Sequence, residues 1–463
     1  MSRRTPPSGY RRTCCAEHAR AGLARRSVAE AGNGLPEIEA GMPLPAGTGL
    51  SRRSFMVRAG GLALTVYGAS LLSPRAFQEG IAKAQGSGNG RVLVNIFFDG
   101  GIDSLSLLAP TEDSRYQQLR PELRMKPGQG TPWTEDPRLR WHPAATPLQK
   151  LHLEGKVTVF PGIGYSAPDQ SHFTSRHYWE VGALDPQART GWIGRTLDRI
   201  GSMDNPLQGI SLDGSLSPGM ATAKVPVAAT WGPSYSLWAP GVWGDVENLM
   251  FQAFERIGTV HERSEDAALS QTGTAIRQAT QLRKQLEPFG SEVQSPVPYP
   301  DDEHFAQSLA GLAAMIDAGL PIRCAALSAP GQYDTHDNQV EEFNDGLTEA
   351  ASTILAFQRD LEARGIADRV VMLLWSEFGR RPEENGSGTD HGAGGAAFLV
   401  GSQVKGKMVG EWPGLQKLDP DDNLRVTSDF RAMYSSILEQ WLGVDAEAVI
   451  PDAAKLPRYS LIG

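Results

Sequence analysis

Hydrophobic positions change their period along this chain, and the changes mark its elements. Val92-Leu93-Val94-Asn95-Ile96-Phe97-Phe98 and Val157-Thr158-Val159-Phe160 are short apolar runs bounded by glycines, the pattern of buried strands. The second half alternates. Phe305, Leu309, Leu312 and Ile316 share one helical face, and residues 322–328 then read as a strand. Phe343, Leu347, Ile354, Phe357 and Leu361 predict a second amphipathic helix, stopped by Gly365. Val370-Val371-Met372-Leu373-Leu374-Trp375 is continuously apolar, as a strand buried on both faces of a parallel sheet must be. Phe398-Leu399-Val400 follows, and Phe430, Met433, Tyr434, Ile437, Leu438 and Trp441 predict a last helix. This alternation predicts an α/β fold: a mostly parallel sheet with helices on both faces. Residues 85–463 are expected to form a single domain, with the Trp- and Pro-richer stretch 191–300 as an insertion or cap.

The first 84 residues read differently. Arg52-Arg53 sits in Ser51-Arg52-Arg53-Ser54-Phe55-Met56, a weakly apolar run follows at 60–72, and Ala82-Lys83-Ala84 offers a small-x-small cleavage pattern. Together these form a twin-arginine signal, so the expected location is periplasmic or otherwise exported, and the expected partner is the twin-arginine machinery. The apolar run is shorter than the ~20 residues that span a bilayer and contains glycines, so no permanent membrane span is expected. Residues 1–50 lack apolar periodicity, which suits disorder or a translation start placed too early.

Removing the leader changes the charge. Of 44 Lys and Arg, 12 lie in residues 1–84, as do 5 of 53 Asp and Glu, so the remainder carries about −16. Such a surface repels nucleic acid and anionic lipid. Cys324 is then the only cysteine, which excludes an intramolecular disulfide.

In open α/β sheets ligands bind beyond the carboxyl ends of the strands. Polar clusters lie there: Asp99-Gly100-Gly101-Ile102-Asp103-Ser104, then Asp169-Gln170-Ser171-His172, then Asp334-Thr335-His336-Asp337. Ser376-Glu377-Phe378-Gly379-Arg380-Arg381 and Thr389-Asp390-His391 follow. Four of the eight histidines after residue 84 (His172, His177, His336 and His391) lie in or beside these loops. Asp, Glu and His gathered in this way suit nitrogen and oxygen coordination of a divalent metal. Singly, each also fits a turn, a helix cap or a hydrogen-bonding histidine.

These motifs in combination, with Gly191-Trp192-Ile193-Gly194-Arg195 and Tyr333-Asp334-Thr335-His336-Asp337-Asn338-Gln339, resemble the domain of unknown function 1501 family from Val92 to about Val449. That family is uncharacterised and related to the alkaline phosphatase and sulfatase superfamily. The resemblance implies an alkaline-phosphatase-like fold and a site for zinc, manganese or another divalent ion. The implied metal residues are Asp99 or Asp103 (with Asp103 favoured), Asp334, His336, Glu377, Asp390 and His391. Ser171 is the implied nucleophile, with His172 beside it and Arg380 or Arg381 gripping ester oxygens. Two departures stand out. Ser376-Glu377 replaces the superfamily's Asp-His pair, and no Cys-x-Pro-x-Arg or Ser-x-Pro-x-Arg supplies a formylglycine.

Two functions follow as expectations. One is a metal-dependent hydrolase of phosphate or sulfate esters, acting on a small ester or glycan. The other is a non-catalytic exported protein that keeps a degenerate metal site. Trp231, Trp238 and Trp243 suit a carbohydrate surface or loop packing. An oxidoreductase lacks support, since no Gly-x-Gly-x-x-Gly follows a strand and no cysteine cluster exists.

Overall fold

A computed structural model of the chain describes residues 90–202, 205–232, 244–289, 294–300 and 304–463. The Arg52-Arg53 signal, Ala82-Lys83-Ala84, Trp238 and Trp243 lie outside the described residues. An eight-stranded sheet organises the rest. Its strands are β1 (Val92–Phe97), β2 (Val157–Gly164), β3 (Gly209–Ser211), β4 (Ala228–Ala229), β5 (Cys324–Ser328), β6 (Val370–Trp375), β7 (Gly395–Val400) and β8 (Ser428–Asp429). The spatial order is β8-β2-β7-β6-β1-β5-β3-β4.

β1 lies at the centre, parallel to β5 on one side and β6 on the other, with Val94 opposite Ala325 and Met372. Every residue of β1 and β6 is buried. The period of two divides them between two cores. Val92, Val94, Ile96, Val370, Met372 and Leu374 face one, while Leu93, Phe97, Val371, Leu373 and Trp375 face the other.

Helices cover both faces. The first core takes α1 (Thr146–Leu153), α6 (Phe305–Asp317) and α7 (Gln339–Ala363), through Leu148, Leu312, Phe343, Ile354 and Phe357. The second takes α2 (His172–Val181), α3 (Trp192–Ile200) and α8 (Phe430–Ile437), through Trp179, Trp192, Met433 and Tyr434. Two further helices, α4 (Asp245–His261) and α5 (Ala267–Leu286), pack against each other where Gly258 and Gly273 allow close backbone approach. Among the described residues no helix is long and apolar enough to cross a membrane.

The α/β class and the mostly parallel sheet read from the sequence are therefore present, with two differences. β7 runs antiparallel to both of its neighbours, β2 and β6. Within 191–300, β3 and β4 extend the main sheet at its edge. Strands of three and two residues are too short to show alternation, which is why the sequence pattern missed them.

His142 follows a short strand at Arg140–Trp141 and caps the turn Pro143–Ala145, its Nδ1 accepting from the Ala144 amide at 3.2 Å. Burial pushes its pKa down to about 4, against a small opposing pull from Asp103. The unfolded chain protonates near 6.5. Between these values the unfolded state binds more protons, so acidification through that window removes stability, by about 3 kcal/mol. His142→Gln is expected to flatten this part of the pH profile of urea unfolding. An unchanged slope would show that His142 titrates normally.

Candidate metal centre

The carboxyl ends of β1, β2, β5 and β6 share one edge of the sheet. Because β7 is antiparallel, the hairpin that precedes it, Arg380–Glu384 paired with Thr389–His391, arrives at the same edge. Four separate connections, those after β1, β2, β5 and β6, thus meet there.

Asp334 stands at their centre. Its Oδ1 lies 3.3 Å from His172 Nε2, 3.1 Å from His336 Nε2 and 3.1 Å from His391 Nε2. His336 Nε2 and His391 Nε2 are 3.0 Å apart. Each imidazole is held from behind. His172 Nδ1 lies 2.6 Å from Glu377 Oε1, His336 Nδ1 lies 3.2 Å from Asp390 Oδ1, and His391 Nδ1 lies 2.8 Å from the Gln170 carbonyl. These partners are acceptors, so each Nδ1 carries the hydrogen. In the neutral rings the Nε2 lone pairs then converge on a carboxylate oxygen.

Acceptors gathered this closely repel one another unless protons or a cation lie between them. Burial, reinforced by His172 and Arg380, pushes His391 toward its neutral form against the pull of Asp334. Burial alone raises the Asp334 pKa, but the three imidazoles around it and the Arg380 charge hold it far below the usual range. Imidazole nitrogens around a carboxylate, each ring oriented by a partner on its other nitrogen, form a donor set that fits zinc or a similar divalent ion. His172, Asp334 and His391 have ligand atoms all within 4.8 Å of one another. His336, with a more exposed side chain, adds a fourth nitrogen beside them.

Glu377 is therefore placed behind the site. Its fully buried carboxylate accepts from Gly100 N, Gly101 N, Ser376 Oγ and His172 Nδ1. Burial raises its pKa, but the His172 bond and charge bring it below the ordinary value. The glycines are needed for this approach. A Cβ on Gly100 would come within 2.3 Å of the Asp334 amide nitrogen, and one on Gly101 within 2.4 Å of the Phe378 ring.

The other expected site residues occupy distinct places. Asp103 is buried in an ion pair with both Arg120 guanidinium nitrogens and accepts from Ser106 and Gln339, so it belongs to a structural network. Asp99 is exposed and pairs loosely with Arg176 at 3.5 Å. Asp390 orients His336 and is half exposed. Arg380 is fully buried. Its guanidinium donates to the carbonyls of Gly100, Gly101, Tyr333 and Thr389 and to Asp334, so it is spent within the protein and does not reach toward a ligand. Ser171 caps α2 by accepting from the Thr174 amide at 3.5 Å. His177 bonds the Asp185 carbonyl, apart from the cluster.

Two residues were not singled out from the sequence. Arg176 lies one turn after His172, bonded to Glu180 and stacked 4.3 Å over the Phe97 ring, with its side chain 30% exposed. Its i, i+4 spacing from His172 is the signal that marks it. Gln339 links the buried Asp103 to both ligand-bearing loops, because its Oε1 accepts from Thr335 at 3.1 Å and Thr389 at 2.6 Å.

Comparisons with known proteins agree with the motifs. Residues 248–458 match the family described as "Protein of unknown function (DUF1501)". The DUF1501 match takes in Asp334, His336, Glu377, Arg380, Asp390 and His391 and starts after Asp99, Asp103, Ser171 and His172. No curated protein matches the chain. Similar solved structures include a protein in the alkaline phosphatase superfamily from Vibrio parahaemolyticus, at 10% identity and a TM-score of 0.35, covering 84% of this chain and 80% of that one. The PsFucS1 sulfatase from Pseudoalteromonas sp. is 12% identical with a TM-score of 0.34, covering 84% and 78%. The lipoteichoic acid synthase LtaP from Listeria monocytogenes is 8% identical with a TM-score of 0.31, covering 80% and 79%.

Two outcomes are expected. Glu377→Gln weakens divalent-metal binding about 10- to 100-fold, read by competition with a chromophoric chelator, because the carboxylate orienting His172 is lost. Asp103→Ala costs about 3 kcal/mol in thermal unfolding by leaving Arg120 buried without its partner. That cost persists after chelator treatment. A cost that vanished with the metal would return Asp103 to the ligand set.

Proposed function

We propose that this chain is exported by the twin-arginine route and hydrolyses a phosphate or sulfate ester with the help of one divalent ion. The observation that supports the reading is the convergence of three oriented imidazole Nε2 atoms on Asp334 Oδ1. His172, Asp334 and His391, with His336 beside them, would hold the ion. A bound ion of this kind acidifies water and neutralises charge on ester oxygens.

The protein's own groups supply the rest. Glu377, Asp390 and the Gln170 carbonyl fix the three rings, so the site is organised before substrate arrives. Arg176, whose pKa is raised by Glu180 and Asp99 despite burial, stays cationic and neutralises a non-bridging oxygen of the ester. In hydrolysis, water oxygen bonds to phosphorus or sulfur, the ester bond breaks, and the water proton reaches the leaving oxygen.

A second reading, a metal-binding protein without catalysis, is favoured by two observations. Every Arg380 nitrogen is used internally, and the Ser171 hydroxyl serves as a helix cap.

The deciding measurement is elemental analysis of protein recovered from the periplasm, paired with a panel of phosphate and sulfate esters. The expected result is about one divalent ion per chain, lost in Asp334→Ala and His391→Ala. Arg176→Ala should lower kcat/KM about 100-fold with the metal retained. Full activity of Ser171→Ala would make water the nucleophile. A metal-loaded protein that hydrolyses no member of the panel supports the binding reading.

A further inference from the structure

A cavity of about 480 Å³ opens beside the first turns of α7, and none of the candidate metal ligands lines it. Its size is that of a site for a small molecule. Ser106 and Gln339, both buried and both bonded to Asp103, line it, and one wall is the His142 ring set edge-on to Phe343 at 5.4 Å. Asn344 and Thr348, one turn apart on α7, line it with an amide and a hydroxyl.

The charges at this cavity are few and balanced. Glu122 is exposed, and Arg124 directs its Nη1 to the backbone carbonyls of Gln117, Arg120 and Pro121. Because His142 Nδ1 accepts from the Ala144 amide, its Nε2 bears the hydrogen and donates. Asn344, Thr348 and the His142 Nε2 therefore offer mixed donors and acceptors beside a flat aromatic wall, with no committed counter-ion for an anion. Hydroxyl groups, which donate and accept at once, match such a lining.

We propose that this cavity binds a small, uncharged, hydroxyl-rich molecule, a sugar or polyol. The proposal stands apart from the metal reading, although the two places share Gln339, which also holds the threonines next to His336 and Asp390.

The test uses the full chain and isothermal titration at millimolar concentrations of D-glucose, D-galactose, N-acetyl-D-glucosamine and myo-inositol. Glucose 6-phosphate and D-glucosamine serve as charged counterparts. At least one neutral probe should bind and be preferred to the charged forms. Asn344→Leu and Thr348→Met should each weaken it about 10-fold or more with thermal unfolding unchanged. Asp334→Ala should leave binding intact, which separates this site from the metal centre. The proposal is overturned if no neutral probe binds, if a charged probe binds more tightly, or if both cavity variants bind like the parent.

Discussion

The guanidinium of Arg380 sits without solvent contact where the loops after β1, β5 and β6 meet, and every one of its nitrogens is bound. It joins the carbonyls of Gly100, Gly101, Tyr333 and Thr389 and the carboxylate of Asp334. A buried cation left without partners costs several kcal/mol, so this geometry is close to all-or-none. The loops that carry Asp334, Glu377 and His391 hold their mutual positions because this one group requires them. An arginine that looks from the sequence like a ligand-gripping residue is instead the tie that sets the site.

Two more buried networks repeat that logic. Asp103 and Arg120 form a fully buried pair, and Gln339 extends it to Thr335 and Thr389. Glu377 uses two backbone amides, a serine hydroxyl and His172 to satisfy its oxygens. In each case a charge sits where solvent cannot reach it, and the surrounding donors fix loops that carry His172, His336 or His391. The departure at Ser376-Glu377 thereby acquires a physical meaning. The Glu377 carboxylate stands behind His172, which α2 supplies.

The proposed export rests on the Arg52-Arg53 segment, outside the described residues, and a metal held by His172, Asp334 and His391 would give folding before export a chemical purpose. The acidic charge after residue 84 repels anionic polymers.

The sequence alone determined the elements that carry long apolar patterns. β1, β6, α6, α7 and α8 all lie where period and composition placed them, because burial on one or both faces dictates those residues. It also gathered Asp334, His336 and His391 at strand ends, since strand order in an α/β fold brings such loops to one edge. Tertiary structure decided the rest. β3 and β4 are too short to show a period, and the direction of β7 depends on how the hairpin 380–391 folds back. Whether a carboxylate faces a metal, a histidine or an arginine depends on donors more than 200 residues away, as for Glu377 with Gly100 and His172. Local sequence specifies which groups can coordinate. Only packing specifies which of them are already committed.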